Sequence, residues 1–161
     1  MRIGVVSDTH GSAECLRLAL GQMGEIDLLI HAGDHYRDAI SISEERDIKT
    51  VAVTGNCDWS VPGAEEAELE IMGYRILVTH GHKYAAKSGN DKLIQKLKAG
   101  KYNLLIYGHS HIPEITHMPE GILFNPGSVA VPRRGSKRSY GIVDIGKNGI
   151  VPYIYELNWQ S

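Results

Sequence analysis

Short apolar runs punctuate this chain, and most of them stop on glycine, a carboxylate, an amide or an imidazole. Residues 2–6, 26–31, 50–54, 74–78 and 104–107 are rich in valine, isoleucine and leucine and have the length of buried strands. Helical spacing fills the gaps between some of them. Ser12 is placed to cap a helix that turns Cys15, Leu16, Leu18, Ala19 and Met23 inward. A second helix over residues 90–98 carries Leu93, Ile94 and Leu97 inward and Asp91, Lys92, Lys96 and Lys98 outward, with Gly100 as its stop. His35 and Asp38 fall in a loop and at the start of a short helix. Residues 67–71 and 74–78 form a hairpin about Met72 and Gly73. Residues 122–128 read as a strand and turn, and residues 140–145 and 150–157 meet at Lys147, Asn148 and Gly149. The second half is therefore expected to be a meander of antiparallel strands.

Composition narrows the class. With 161 residues, 42% hydrophobic and 22% charged, the chain is read as one soluble globular domain, residues 1–161, with a sizeable core. No repeat, low-complexity stretch or linker divides it. A formal net charge of -2 argues against a general basic surface for nucleic acid. No apolar run approaches the roughly 20 residues needed to cross a bilayer, and the first strand begins without a signal-peptide layout. The expected location is the cytoplasm, with no membrane partner. Two cysteines are no disulfide framework: Cys15 is a packing residue and Cys57 lies in a polar loop.

The residues that end the strands carry the candidate chemistry. Asp8 and His10 follow the first strand, and His109 and His111 follow the run at 104–107, both pairs at i, i+2 spacing, which puts two donors on one side of an extended chain. Asp34 ends the second run after Gly33, Asn56 follows Gly55 after the third, and His80 stands directly at the end of the fourth. A layered sheet would gather all seven at one edge. Seven nitrogen and oxygen donors exceed one tetrahedral zinc. They suit two five- or six-coordinate ions sharing a carboxylate, which in two-metal hydrolases lie roughly 3.5–4 Å apart. Imidazole and carboxylate without thiolate favour manganese, iron, zinc, nickel or cobalt. His31, one residue before the Ala32-Gly33 end, reads as a hydrogen-bonded core histidine, and His82 as facing substrate or solvent.

Asp8-x-His10, Gly33-Asp34, Gly55-Asn56, His80-Gly81 and Gly108-His109-Ser110-His111, in that order, resemble the motif set of the calcineurin-like metallophosphoesterases, in particular their small bacterial and archaeal phosphodiesterase group. The resemblance extends to Asn125-Pro126-Gly127-Ser128. It implies an α+β fold, an αββα four-layer sandwich of two mixed sheets flanked by helices, the metallo-dependent phosphatase fold. It also implies two divalent ions, manganese foremost. Asp8, His10 and His111 would hold the first, Asn56, His80 and His109 the second, and Asp34 would bridge them. Asn56, Cys57 and His80 would occupy the catalytic positions, and a hydroxide held between the metals would attack a small phosphodiester or nucleotide in line. A homodimer is compatible with the resemblance.

One position departs from many family members, which have histidine after the Gly-Asn pair where this chain has Cys57. A thiol with an ordinary pKa near 8.5 is a weak proton donor and carries no positive charge at neutral pH. Slower turnover and a preference for good leaving groups are expected, unless Cys57 is a small buried filler. The basic run Arg133, Arg134, Lys137 and Arg138 either rims the site or is a solvated loop. Two other functions share the resemblance: a protein-binding scaffold of the same fold, and a metal-regulated nucleotide-binding module without hydrolysis.

Overall fold

The computed structural model describes residues 1–159. Its elements, in chain order, are β1 (Arg2–Val6), α1 (Ala13–Met23), β2 (Leu28–His31), α2 (Tyr36–Arg46), β3 (Thr50–Ala52), β4 (Glu66–Ile71) and β5 (Tyr74–Thr79). A 3-10 turn at His82–Tyr84 precedes α3 (Asp91–Gly100), β6 (Leu104–Ile106), β7 (Pro113–Met118), β8 (Gly121–Pro126), β9 (Ser139–Gly146) and β10 (Gly149–Glu156).

The strands form two sheets, in the orders β10-β9-β1-β2-β3 and β4-β5-β6-β8-β7. Both are mixed. In the first, β1, β2 and β3 run parallel while β9 lies antiparallel to β1; in the second, β5, β6 and β8 run parallel between antiparallel edges. The apolar runs are continuous because each central strand is covered on both faces. Ile3 and Val5, Leu28 and Ile30, Ile76 and Val78, and Leu104 and Ile106 turn toward the space between the sheets, where Phe124 and Val143 complete one core. Their neighbours face the other way, as the two-residue period of a strand requires. Val6 and Leu29 pack under α1 against Leu16 and Ala19, and Leu77, Leu105 and Tyr107 pack under α3 against Leu93 and Leu97. The result is the expected α+β sandwich, helix on sheet on sheet on helix. No helix among the described residues is long and apolar enough to cross a membrane.

Several expectations need correction. The second half is not an antiparallel meander, because β6 is buried on both faces and lies between two parallel neighbours, while β9 and β10 leave for the other sheet. The edge strand β7 carries only half-buried or exposed residues and begins on Pro113, so it lacked an apolar run to mark it. The helix near His35 is a full 11-residue α2, with only Ala39 and Ile42 buried. Ser12 precedes α1 without a side-chain capping bond, and Leu20 joins the inward face. Gly100 does not stop α3; it lies inside the helix, and Lys101 takes the left-handed position at φ 52°. The glycine serves packing, since a Cβ there would come within 2.0 Å of the Tyr102 ring. Lys96 is half-buried and paired with Glu66 at 3.0 Å rather than simply solvated.

Candidate metal centre

Parallel strands point their C-terminal ends the same way, so β1, β2 and β3 from one sheet and β5 and β6 from the other deliver their terminal loops to one edge of the sandwich. The backbone there is unusual. Asp8, His10, Asp34, His109 and His111 have φ of 56°, 47°, 60°, 67° and 60°, the left-handed region that side-chain-bearing residues seldom occupy. Such concentration of strained residues is a mark of a functional site.

The donors fall into two groups that share one carboxylate. In the first, Asp8, His10, Asp34 and His111 each offer an atom within 4.8 Å of the others; Asp34, His80 and His109 form the second on the same criterion. The two Asp34 oxygens divide between them, Oδ2 lying 3.8 Å from His10 Nε2 and Oδ1 3.3 Å from His80 Nε2. His10 and His111 approach through their Nε2 atoms to 3.2 Å, and His109 Nδ1 lies 3.2 Å from His80 Nε2.

Four of the donors are aimed by a partner behind them. His80 Nδ1–H donates to the Ala32 carbonyl at 2.8 Å, and His111 Nδ1–H donates to that of Val131, so both rings turn Nε2 inward. Asp8 Oδ2 accepts from the Ser7 hydroxyl at 2.7 Å and from the His109 amide at 3.1 Å, and Ser128 Oγ donates to the Asp8 carbonyl at 2.8 Å. Asp34 Oδ1 accepts the Cys57 amide at 2.9 Å. Gly55 permits this approach, because a Cβ there would lie 2.1 Å from Asp34 Oδ1.

The donor set fits a divalent cation by its own chemistry. Asp8 Oδ1 is buried and makes no hydrogen bond among the described residues, yet it faces the inward Nε2 of His111 at 3.2 Å. Two lone pairs at that separation repel unless a proton or a cation lies between them. Most protonation states agree. Burial pushes the Asp8 and Asp34 carboxyls up, but the close approach and charge of His111 and His80, joined at Asp34 by the Cys57 amide, leave both below the ordinary carboxylate value. Burial holds the His10 ring below its usual pKa and carries His109 down to about 4. His80 goes the other way, held above its usual value because Asp34 and Asp8 outweigh its burial, so a cation would have to displace its proton. Ionised carboxylates and neutral rings such as those of His10 and His109 are what a metal requires.

The remaining candidates take varied places. Asn56 is exposed on the loop beyond Gly55, and its amide donates to Cys57 Sγ at 3.4 Å. Cys57 is also exposed, which removes the filler reading. Burial and the neighbouring Asp34 push its thiol up to about 11. His82 lies beside the second group, its ring centroid 5.5 Å from that of His80. His31 is fully buried, as expected for a core histidine; Thr9 Oγ1 lies 3.2 Å from its Nε2, and its Nδ1 accepts the Gly33 amide. Arg138 is tied back to the Ala130 carbonyl at 3.1 Å. Sequence reasoning missed the braces. Asp38 accepts from Thr9 Oγ1 at 2.6 Å and from the Gly11 amide at 3.0 Å, and Asp58 accepts from the Tyr36 and Gly55 amides. Asp58, three residues after Gly55, had a local signal, that of a side chain closing its own turn; Asp38 had none, because its partner loop is distant in sequence.

Residues 1–148 match the model of the calcineurin-like phosphoesterase superfamily domain. The chain is similar to the probable metallophosphoesterase YsnB of Bacillus subtilis, 29% identical over 157 residues, 97% of this chain and 91% of that protein. A probable metallophosphoesterase of Methanocaldococcus jannaschii is 37% identical over 83% of this chain and 70% of its own. The phosphodiesterase YfcE of Escherichia coli is 34% identical over 70% of this chain and 60% of its own. Among solved structures, that of the E. coli phosphoesterase superposes with a TM-score of 0.70 at 25% identity, covering 98% of this chain and 100% of that one. Vacuolar Protein Sorting 29 of Cryptosporidium parvum superposes at 0.80 with 17% identity, covering 98% and 91%.

Proposed function

The chain belongs to the calcineurin-like phosphoesterase superfamily, and on that premise we propose that it is a metal-dependent phosphodiesterase acting on a small phosphodiester or nucleotide. The observation that carries this reading is Asp34, one carboxylate divided between two donor groups. Asp8, His10 and His111 would hold one divalent ion, and His80, His109 and the Asn56 carbonyl a second, with Asp34 common to both. Manganese is the first candidate, with nickel, zinc, iron and cobalt behind it. Bound ions would lower the pKa of water and neutralise phosphoryl charge.

The protein's own part is positioning and charge. Two ionised carboxylates, both partly neutralised by surrounding rings and amides, keep the site attractive to cations without repelling a phosphodiester. The anchored His80 and His111 rings hold their donors still, so little reorganisation is needed when charge develops. Cys57 stands next to Asn56 as an exposed neutral thiol. It is a poor general acid for a leaving alkoxide, which favours substrates whose leaving oxygen needs no proton. Both cysteines are free, which suits a reducing compartment such as the cytoplasm.

The scaffold reading has in its favour the fold of Vacuolar Protein Sorting 29, a likeness that at 17% identity concerns the fold alone. Asp8 Oδ1 weighs against it, because a buried carboxylate oxygen without a hydrogen bond is costly unless a cation meets it. The deciding test is hydrolysis of a chromogenic phosphodiester and of its monoester by metal-stripped protein, with and without manganese. Turnover that requires metal and favours the diester is expected; silence with both substrates while the ions are bound would overturn the proposal in favour of a scaffold.

A further inference from the structure

Beside Ser110, the residue between His109 and His111, the surface opens into a cleft of about 400 Å³, with Lys87, Ser88 and Arg134 in its walls. Its floor is ordered by hydrogen bonds. Asn90 Nδ2 donates to Glu114 Oε1 at 2.6 Å, and Thr116 Oγ1 donates to the same oxygen at 2.7 Å. The Tyr107 hydroxyl lies 3.0 Å from Glu114 Oε2 and 3.3 Å from Asn90 Oδ1. A phenol has one proton, so it serves one of these acceptors and leaves the other with an open lone pair. Among the described residues no aromatic ring lines the cleft, which argues against base stacking as its purpose. Lys87 is exposed at its edge.

We infer that this cleft is the subsite for the hydroxyl-bearing arm of the phosphodiester, a ribose or similar polyol, with Asn90 and Glu114 accepting its hydroxyls and Lys87 meeting phosphoryl charge at the mouth. A carboxylate beside an open amide oxygen attracts O–H donors and repels anions, whereas the lysine at the rim attracts anions. One arm of a sugar phosphate satisfies both. The inference rests on the phosphodiesterase reading.

The test compares two chromogenic substrates of the manganese-loaded full chain: the p-nitrophenyl ester of a ribonucleoside monophosphate, and bis(p-nitrophenyl) phosphate, which has no hydroxyls. The wild type is expected to favour the ribonucleoside ester in kcat/KM. Asn90→Ala and Glu114→Gln should each cut that preference about tenfold, chiefly through KM, as loss of a hydrogen bond to a polar group implies. Lys87→Ala should raise KM for both esters alike. Asn90 also stands at the start of α3, so if its replacement unfolds the chain, the isosteric Glu114→Gln decides alone. An unchanged preference in the folded variants would overturn the inference while leaving the phosphodiesterase reading intact. No hydrolysis of either ester by the loaded wild type would overturn that reading, and this inference with it.

Discussion

Asp34 concentrates the electrostatics of the site in one side chain, because its two oxygens face different groups of imidazoles and one of them also accepts the Cys57 amide. Asp34→Ala should therefore cost more than the roughly 10–100-fold typical of residues that only orient a ligand. Metal analysis together with turnover checks this; full retention of bound ions with unchanged rate would refute the bridging role. At Cys57 the expectation runs the other way. Cys57→His supplies a group that titrates near neutrality, and activity toward a diester with a poor leaving group should rise about tenfold or more, while a p-nitrophenyl ester should respond little. Equal responses from both substrates would place position 57 away from the leaving oxygen. The aspartates and histidines that cluster at this edge were readable as candidates because such residues after an apolar run are conspicuous in sequence. Their aim was not: that Ser128 and the Ala32 carbonyl fix Asp8 and His80 depends on contacts across the fold.

At the scale of elements, α2 is more than a connection. Its first turn supplies Asp38, which grips Thr9 and Gly11 on either side of His10. Asp38→Ala removes the acceptor both share, leaving the Thr9 hydroxyl its longer 3.3 Å bond to the Asp34 carbonyl, and should lower stability by about 0.5–1.5 kcal/mol while loosening the His10 loop. A metal titration followed by thermal melting separates the two effects: weaker metal affinity beyond the stability loss is expected, and unchanged affinity would limit Asp38 to a structural role. The same helix explains part of what sequence reading lost. With two buried residues in eleven, α2 has too thin an apolar stripe to stand out, and β7 shows none. The fully buried strands were legible from the opposite cause, apolar side chains on both faces. Their pairing was not, since parallel neighbours such as β6 and β8 are joined through β7, and antiparallel partners such as β1 and β9 lie at opposite ends of the chain.

For the whole molecule, the fold is coupled to protons and, under the proposed function, to cations. Burial carries His31 down to about 4 from the ordinary histidine value of 6.5, with both ring nitrogens engaged when the ring is neutral. The unfolded chain binds this proton more readily than the native one. Stability from His31 is therefore complete above about pH 6.5 and falls as pH drops toward 4, by up to about 1.4 kcal/mol per unit. Denaturant midpoints between pH 7 and 4.5 would test this, and His31→Gln should flatten that portion of the profile. Added manganese should raise the melting temperature, since a ligand of the native state at 100 times its Kd contributes about 2.7 kcal/mol; no shift at saturating metal would contradict a preformed site.

The left-handed backbone at Asp8, His10, Asp34, His109 and His111 has a consequence for how such a molecule can change over generations. A side chain in that conformation costs roughly 1–2 kcal/mol, and glycine, which is at ease there, forfeits roughly 0.5–1 kcal/mol of chain entropy. At the half-buried His10 and His109, losing a donor to glycine therefore recovers part of its own cost, whereas at the buried Asp8, Asp34 and His111 it would also leave hydrogen-bond partners unpaired. The architecture can outlive part of its chemistry: descendants can shed His10 or His109 and keep the sandwich, so at those two positions selection on activity is what holds the residue in place.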